Sequence, residues 1–501
     1  GFLAENADFA RAVADNGLIW IGPTPENMAL LGDKVASRKI AEQVGAPLVP
    51  GTPDPVSGVE EVEAFANQFG YPIAIKAAFG GGGRGLKVVR KAAELKRRYE
   101  SAVSEAISAF GRGECYVERF VERPRHVEVQ VLGDGKGRVV VVGTRDCSVQ
   151  RRHQKVVEEA PAPFLSQEQQ DLLCKSARDI CQAVNYRGVG TVEFMLGEDG
   201  LLSFLEVNTR IQVEHPVTER TTGLDLIVRQ FKVAEGYGLD DLPDVVPSSG
   251  HAFEFRINAE DPGRGFLPQA GLITRFDMPG GPFCRIDAGV ASGGDVPPEF
   301  DSMVAKIIVW GTNRESALTR ARQAMRECEI EGIPTLIPFH RRILTEPSFI
   351  AKTAEDFTMY TNWIETECDW LPELAQPLPP GVNRSRVVRE WFEIDGKWVQ
   401  IGFPASLIGA GGGAATARPA ASVESESGQT IPVGAVLAPM NGVLSRWSYP
   451  AGTQVEAHTN IGTLEAMKME NPILSEVGGV FTPLVTEGAA VKAGDPIATI
   501  V

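Results

Sequence analysis

The sequence predicts a multidomain chain of α/β (α+β) class that closes with a small all-β domain. Three observations predict it. Strand-like runs at 127–132, 139–142, 192–195 and 204–207 alternate with long helical stretches such as 166–184. A glycine cluster from Gly80 to Gly85 separates two further strand runs, and a pattern of glycines and aliphatics occurs twice in the stretch 431–501. A length of 501 residues has room for roughly three or four compact units.

Residues 1–50 combine a helical pattern at 9–17 with a short apolar run, 18–21, that ends at Gly22-Pro23; this reads as part of an α/β unit. Residues 51–120 read strand (73–76), glycine loop, strand (86–89) and a charged helix from Ala92 to about Phe110. A glycine loop between two strands is a hairpin able to fold over a ligand. The frequent strands of 121–360 predict a mixed or antiparallel sheet. The region 361–430 is a linker: Pro377 to Pro380 is proline-dense, 384–407 alternates enough for a small β element, and Gly409 to Ser427 is mostly Gly, Ala and Ser.

In 431–501, Gly442, Gly452, Val455, Ile461 and Leu464 recur as Gly479, Gly488, Val491, Ile497 and Ile500. Two similar all-β halves are expected, joined by a hairpin at Glu465-Ala466-Met467-Lys468-Met469-Glu470.

Composition excludes some classes. With 43% hydrophobic and 23% charged residues the chain is of soluble globular type, and no run of about 18 apolar residues offers a membrane span. A net charge of -16 argues against general nucleic-acid binding. The seven cysteines are scattered without a C-x-x-C pair, which suits a reducing cytoplasm. The start, Gly1-Phe2-Leu3, carries neither a signal-peptide pattern nor an initiator Met, so a processed or truncated first unit is expected.

Three stretches carry chemistry. Lys468, flanked by two methionines on a tight turn, presents one recognisable amine to a modifying enzyme. Small residues in the loop 80–85 let backbone N–H groups approach phosphate oxygens, and Arg84 and Lys76 add charge beside it. Glu193 and Glu206 lie within apolar strand runs, where an unpaired carboxylate is costly. A metal offsets that cost, and with the amide oxygen of Asn208 they form a hard-oxygen set suited to Mg²⁺ bridging phosphates. The plainer reading pairs both carboxylates with neighbours such as Arg210.

Residues 431–501 resemble a biotinyl carrier domain, in which Lys468 matches the biotinylated lysine; the Met pair distinguishes it from a lipoyl domain. Residues 1–360 resemble biotin carboxylase of the ATP-grasp family, on the blocks Pro124-Arg125-His126-Val127-Glu128, Gly143-Thr144-Arg145-Asp146-Cys147-Ser148-Val149-Gln150-Arg151-Arg152-His153-Gln154-Lys155 and Arg210-Ile211-Gln212-Val213-Glu214-His215-Pro216. Together they resemble the α subunit of an actinobacterial-type acetyl-/propionyl-CoA carboxylase. The resemblance implies a remnant of a Rossmann-like N-terminal domain in 1–50, an ATP-grasp lid in 51–120, the rest of the carboxylase in 121–360, and a barrel-sandwich biotinyl domain in 431–501.

The same resemblance implies the site. Lys34, Lys76, His126, Gly82 and Gly83 would hold ATP, with Glu118, Arg119, Phe120, Val121 and His153 on the adenine and ribose side. Glu193, Glu206 and Asn208 would hold Mg²⁺ or Mn²⁺. Bicarbonate would sit against Lys155, Arg210, Gln212 and the Val213 backbone, with Glu214 as general base. Arg256 would stabilise the ureido enolate of biotin. Implied partners are a carboxyltransferase β subunit and a biotin protein ligase, in a hetero-oligomer making malonyl-CoA or methylmalonyl-CoA for fatty-acid or polyketide synthesis. An ATP-grasp ligase with an amine acceptor, a non-enzymatic carrier, and pyruvate carboxylase are the competing readings; the carrier lysine opposes the first.

Overall fold

The computed structural model describes residues 3–78, 86–376, 387–394, 397–404, 434–439, 442–466, 469–491 and 494–501. The helix Ala7–Asp15, capped by the Asn6 side chain, occupies the stretch where helical periodicity was expected. The apolar run at 18–21 joins no ladder, and Leu18 and Ile19 are 65% and 68% exposed. No described strand lies beside it; Arg187 instead takes the carbonyls of Trp20 and Gly22 at 3.2 and 2.9 Å.

Strands β1 (Ile73–Ala77), β2 (Leu86–Val89) and β3 (Cys115–Arg119) form an antiparallel sheet in the order β2-β1-β3. Ile73, Ile75, Val89 and Val117 on this sheet pack on Val62 and Phe65 of the helix Val59–Phe69 and on Ala102 and Ala106 of the helix Leu95–Phe110. Lys76 stands opposite Leu86 and Tyr116, so it marks the end of β1 from which the glycine segment departs. That segment, including Gly82 and Gly83, lies outside the described residues.

The main sheet has eight strands: β4 (Arg125–Asp134), β5 (Val139–Arg151), β6 (Gln154–Ala160), β7 (Arg187–Leu196), β8 (Leu202–Asn208), β9 (His251–Asn258), β10 (Cys284–Ala288) and β11 (Met303–Gly311). Their order is β10-β11-β9-β6-β5-β4-β7-β8, and every neighbouring pair is antiparallel. Period-two alternation divides β4. Val127, Val129 and Val131 pack with Leu173, Ala177 and Ile180 of the helix Gln167–Ala183, whose start carries a Ser166/Gln169 capping box. His126, Glu128 and Gln130 therefore face the opposite side, where a site can form.

Strand β8 reaches the same arrangement through a bulge. Phe194 pairs with Phe204 but Glu193 pairs with Glu206, so Leu205 is the extra residue and the phase of β8 inverts there. Phe204 and Val207 both stay in the core while Glu206 is brought opposite Glu193. Beyond β8, the odd residues of β9 (Phe253, Phe255, Ile257) join Ile307 and Phe339 in the largest core, leaving Glu254 and Arg256 on the site face.

Residues 434–501 form two four-stranded sheets. Ala435–Leu437 and Gln454–Val455 from the first half flank Pro496–Ile500 and Gly479–Pro483 from the second; Met469–Leu474 and Ala490–Val491 flank Asn460–Ala466 and Gly442–Trp447 in the reciprocal arrangement. The duplicated aliphatics Val455, Ile461, Leu464, Val491, Ile497 and Ile500 close one core between the sheets. Val387–Ile394 and Lys397–Pro404 pair as an antiparallel hairpin.

All seven cysteines are free thiols. Among the described residues no helix is long and apolar enough to cross a membrane.

One buried acid makes stability pH-dependent. Burial pushes the Glu260 carboxyl up from 4.5 to about 7, against hydrogen bonds from Ser302 and Asn258. The native state therefore holds a proton that the unfolded chain has released, so stability falls as pH rises from about 4.5 to about 7 and is level above. Relative to Glu260→Gln, the wild type is expected to lose roughly 3 kcal/mol between pH 5 and pH 8. Denaturant midpoints of both proteins at the two pH values measure it; parallel curves would contradict it.

Candidate active site

One cavity of about 860 Å³ opens between the three-stranded sheet and the site face of the main sheet. Its floor is a row of charge set by strand register: Arg145 on β5 lies opposite Glu128 on β4, Glu128 opposite Glu193 on β7, and Glu193 opposite Glu206 on β8. Like charges directly opposite one another destabilise a sheet, so cations must fill the gaps.

Lys155 on β6 does so. Its Nζ donates to Glu128 Oε2 at 2.6 Å, Glu193 Oε1 at 3.1 Å and Glu214 Oε1 at 2.6 Å. Burial works against its charge, but the three carboxylates raise the ammonium well above the ordinary lysine range. Burial likewise opposes ionisation of Glu193, and Lys155 with His126 outweighs it, holding that carboxyl well below its ordinary value. His126 Nε2 lies 3.1 Å from Glu193 Oε2, and its Nδ1 is 2.8 Å from Gln150 Nε2.

Glu214, at the start of the helix His215–Thr222, is clamped from two sides, by Lys155 and by Arg256 Nη2, which donates to Oε2 at 3.0 Å. Although buried, its carboxyl is held far below the usual range by Lys155, Arg256 and Arg145. Arg256 Nε donates to Glu158 Oε1 at 2.6 Å. His340, pushed down to about 4 by burial, stays neutral and donates from Nε2 to the Arg256 carbonyl at 2.7 Å. Arg210 donates to Glu5 at 2.8 Å and to Asn208 Oδ1 at 3.2 Å.

At the other end, Lys76 and Arg38 both pair with Glu118, and Lys34 Nζ lies 3.8 Å from Glu206. Burial lowers the Lys34 pKa despite Glu206. The turn joining β5 to β6 consists of Arg152 and His153, both at positive φ (49° and 65°), a geometry that Asn and Gly adopt more readily. Glu365 accepts from the Arg152 backbone N–H at 2.9 Å and from Arg151 at 3.1 Å, holding both turn residues against the cavity.

The oxygens near Glu206 suit a hard cation. Burial and then Glu193 raise the Glu206 carboxyl, which Lys34, His126 and Lys76 only partly compensate. Asn208 is buried, its Nδ2 has no partner among the described residues, and its Oδ1 keeps a lone pair beside the Arg210 contact. This donor set fits Mg²⁺.

Four family models match the chain: biotin carboxylase N-terminal domain over residues 1–28, carbamoyl-phosphate synthase L chain ATP binding domain over 33–242, biotin carboxylase C-terminal domain over 254–366, and biotin-requiring enzyme over 434–500. The biotin-dependent acyl-coenzyme A carboxylase alpha3 subunit of Mycobacterium leprae is 50% identical over 100% of this chain and 85% of its own length. The chain belongs to the biotin-dependent acyl-CoA carboxylase α-subunit family.

Biotin carboxylase of a Nostoc species is 47% identical over 70% of this α-subunit homologue and 78% of its own length. Pyruvate carboxylase of Aspergillus niger is 46% identical, but only 30% of that protein is covered. Among solved structures, the biotin carboxylase domain of Hydrogenobacter thermophilus 2-oxoglutarate carboxylase, in complex with MgADP, ADP and bicarbonate, matches with a TM-score of 0.69 and 42% identity over 73% of this chain and 80% of that one. Campylobacter jejuni biotin carboxylase matches with a TM-score of 0.70 and 40% identity over the same shares.

In this carboxylase α-subunit homologue the cavity is lined by Lys34, Lys76, Glu118, Phe120, Val121, His126, His153, Lys155, Glu193, Glu206, Asn208, Arg210, Gln212, Val213, Glu214 and Arg256. Arg119 is not brought in: it is exposed beside Glu118, and only its backbone is engaged, donating to the Pro50 carbonyl at 2.9 Å. Gly82, Gly83 and Lys468 lie outside the described residues; the strands before and after Lys468 end at the paired residues Ala466 and Met469.

Several residues that build this carboxylase site have no role legible in the sequence alone. Arg145 is fully buried and binds Glu128, Gln130, Thr191, Gln212 and Thr218 at once. Lys306 holds the Val213 carbonyl, and Glu5 holds Arg210. An arginine and a glutamate within strand-like motif strings, Arg145 and Glu128, were the available signal.

Proposed function

We propose that the chain carboxylates biotin attached to its own Lys468, using ATP and bicarbonate, and supplies carboxybiotin to a separate carboxyltransferase β subunit. The observation that carries this reading is the buried carboxylate Glu214, clamped between Lys155 and Arg256 in the cavity of a chain that also matches a biotin-requiring domain. The complex of the 2-oxoglutarate carboxylase domain with MgADP and bicarbonate supports the same ligands here.

Bicarbonate, an anion, enters among Lys155, Arg210 and Gln212. Its charge competes for the cations that hold Glu214, whose carboxylate is thereby released to take the bicarbonate proton. The resulting carbonate oxygen attacks the γ-phosphorus of ATP, giving carboxyphosphate and ADP. Carboxyphosphate separates into CO₂ and phosphate, the phosphate accepts the proton of the ureido nitrogen, and that nitrogen attacks the carbon of CO₂ to give carboxybiotin. Mg²⁺, held by Glu193, Glu206 and Asn208, would neutralise phosphate charge. Arg256 offers a guanidinium that burial disfavours but Glu158 and Glu214 keep charged, suited to negative charge on the ureido oxygen. Glu118, Phe120, Val121 and His153 would form the nucleotide side, with Lys34, Lys76, His126, Gly82 and Gly83 on the phosphates.

The finer reading is an acetyl- or propionyl-CoA carboxylase making malonyl-CoA or methylmalonyl-CoA, biotinylated by a biotin protein ligase and resident in the cytoplasm, where seven free thiols are stable. Intact-mass spectrometry after co-expression with a biotin ligase tests the carrier: wild type should gain one biotin and Lys468→Arg none. No gain in either would remove self-carboxylation and leave an ATP-grasp enzyme with another acceptor.

A further inference from the structure

The steps above use neither Glu254 nor the second oxygen of Glu158, yet both are fully buried beneath the site. Glu254 on β9 lies directly opposite Glu158 on β6 and Ile308 on β11. Neither carboxyl oxygen of Glu254 has a hydrogen-bond partner among the described residues, and neither does Glu158 Oε2. Two carboxylates cannot bond one another, because each only accepts; a single proton turns one into a donor.

The surrounding charges leave Glu254 only a long, shared contact with Lys306. Arg256 is engaged by Glu158 on one side and Glu214 on the other. Lys306 on β11 donates to the Val213 carbonyl and lies 3.8 Å from Asp287 on β10, with Glu254 Oε1 at 3.9 Å. Above the pair, the helix His215–Thr222 contributes Val217, which packs on Ala160, Ala252 and Ile308. A third ionised carboxylate in this layer would draw Lys306 off the Val213 carbonyl and compete with Glu214 for Arg256.

We propose that Glu254 and Glu158 share one proton, and that this pair is the positioning element that fixes Arg256 and, through Lys306, the Val213 backbone. Burial raises both carboxyls, Glu254 the further; Lys306 only partly offsets it and Glu158 adds to it, whereas Arg256 offsets the burial of Glu158. Neutral Glu254 donates to Glu158 Oε2, Glu158 keeps its charge for Arg256 Nε, and Lys306 stays with Val213. The inference rests on the functional reading above only for what Arg256 and Val213 do; the shared proton is a property of the folded chain.

Two measurements on the full chain test it. Infrared difference spectra between wild type and Glu254→Gln at neutral pH should contain a carboxylic-acid C=O band, independent of any activity; its absence overturns the proposal. Bicarbonate-dependent ATP cleavage with free biotin should fall at least about tenfold in kcat for Glu254→Leu, which leaves Glu158 Oε2 without a donor, with KM for ATP within about twofold. The thermal midpoint should fall by no more than a few degrees, since an apolar side chain suits this buried position while Glu158 Oε2 loses its donor. Glu254→Gln, whose amide N–H donates as the carboxyl O–H does, should return kcat to within about threefold and flatten the alkaline limb of the wild-type pH profile. Equal kcat in the Leu variant and wild type, or loss of kcat in the Leu variant alongside a larger drop in thermal midpoint that Gln does not rescue, overturns the positioning role. A wild type without bicarbonate-dependent ATP cleavage would instead refute the functional reading, while the infrared band still decides the shared proton.

Discussion

Glu214→Gln is expected to lower bicarbonate-dependent ATP cleavage by about 10²- to 10⁴-fold, the usual worth of a positioned proton acceptor. The substitution isolates chemistry from folding, because every partner that Glu214 leaves has another. Lys155 keeps Glu128 and Glu193, and Arg256 keeps Glu158. In the free site Lys155, Arg256 and Arg145 overcome burial and hold the Glu214 carboxyl far below its ordinary value, so it is ionised at every pH at which the protein is handled. An acidic limb in kcat/KM above pH 5 therefore belongs to another group, and Glu214→Gln should lower the whole profile without moving that limb. A variant that retains full turnover would remove Glu214 as the base.

The second large effect is on stability. Arg145→Met should destabilise the carboxylase region by roughly 3–5 kcal/mol, the cost of leaving a buried carboxylate without its counterion. Arg145 is fully buried and its five side-chain partners come from β4, β7, the helix His215–Thr222 and the segment before that helix. Adding Glu128→Leu should recover part of the loss, because a pair removed together leaves fewer orphaned groups than either alone. Urea denaturation of the two single variants and the double variant measures the coupling; strictly additive losses would contradict the ion-pair explanation.

Much of this site could be read from sequence where chemistry leaves a local mark. Glu193 and Glu206 stand out as carboxylates inside aliphatic strand runs, and the duplicated glycines and aliphatics of 431–501 announce the two halves of the terminal domain. Residues whose role depends on register leave no such mark. Arg145 meets partners 15 to 73 residues away, and nothing in its own strand says that two other strands and a helix converge there. The bulge at Leu205, which brings Glu206 opposite Glu193, is equally silent. Arg119 illustrates the converse: in a strand, neighbours face opposite sides, so Glu118 and Arg119 cannot both turn their side chains into one cavity. The apolar run at 18–21 looked like a strand because hydrophobicity is local, whereas a ladder needs a neighbour.

The interlocked sheets of residues 434–501 give the domain a long axis with two unlike ends. Gly434 and Ile500 are tied together at one of them, Gly434 accepting from the Ile500 N–H at 2.8 Å. From there Ala435–Leu437 leads toward Gly442, which sits with Val491 at the other end, where Ala466 and Met469 close their ladder. The seven-residue strand Asn460–Ala466 alone measures about 23 Å. The domain is thus a gantry: its foot is fixed where Gly434 meets Ile500, and the paired residues Ala466 and Met469 mark the other end. Whatever takes hold of the Ala466–Met469 end meets the domain a full strand length away from the end at which Gly434 enters it.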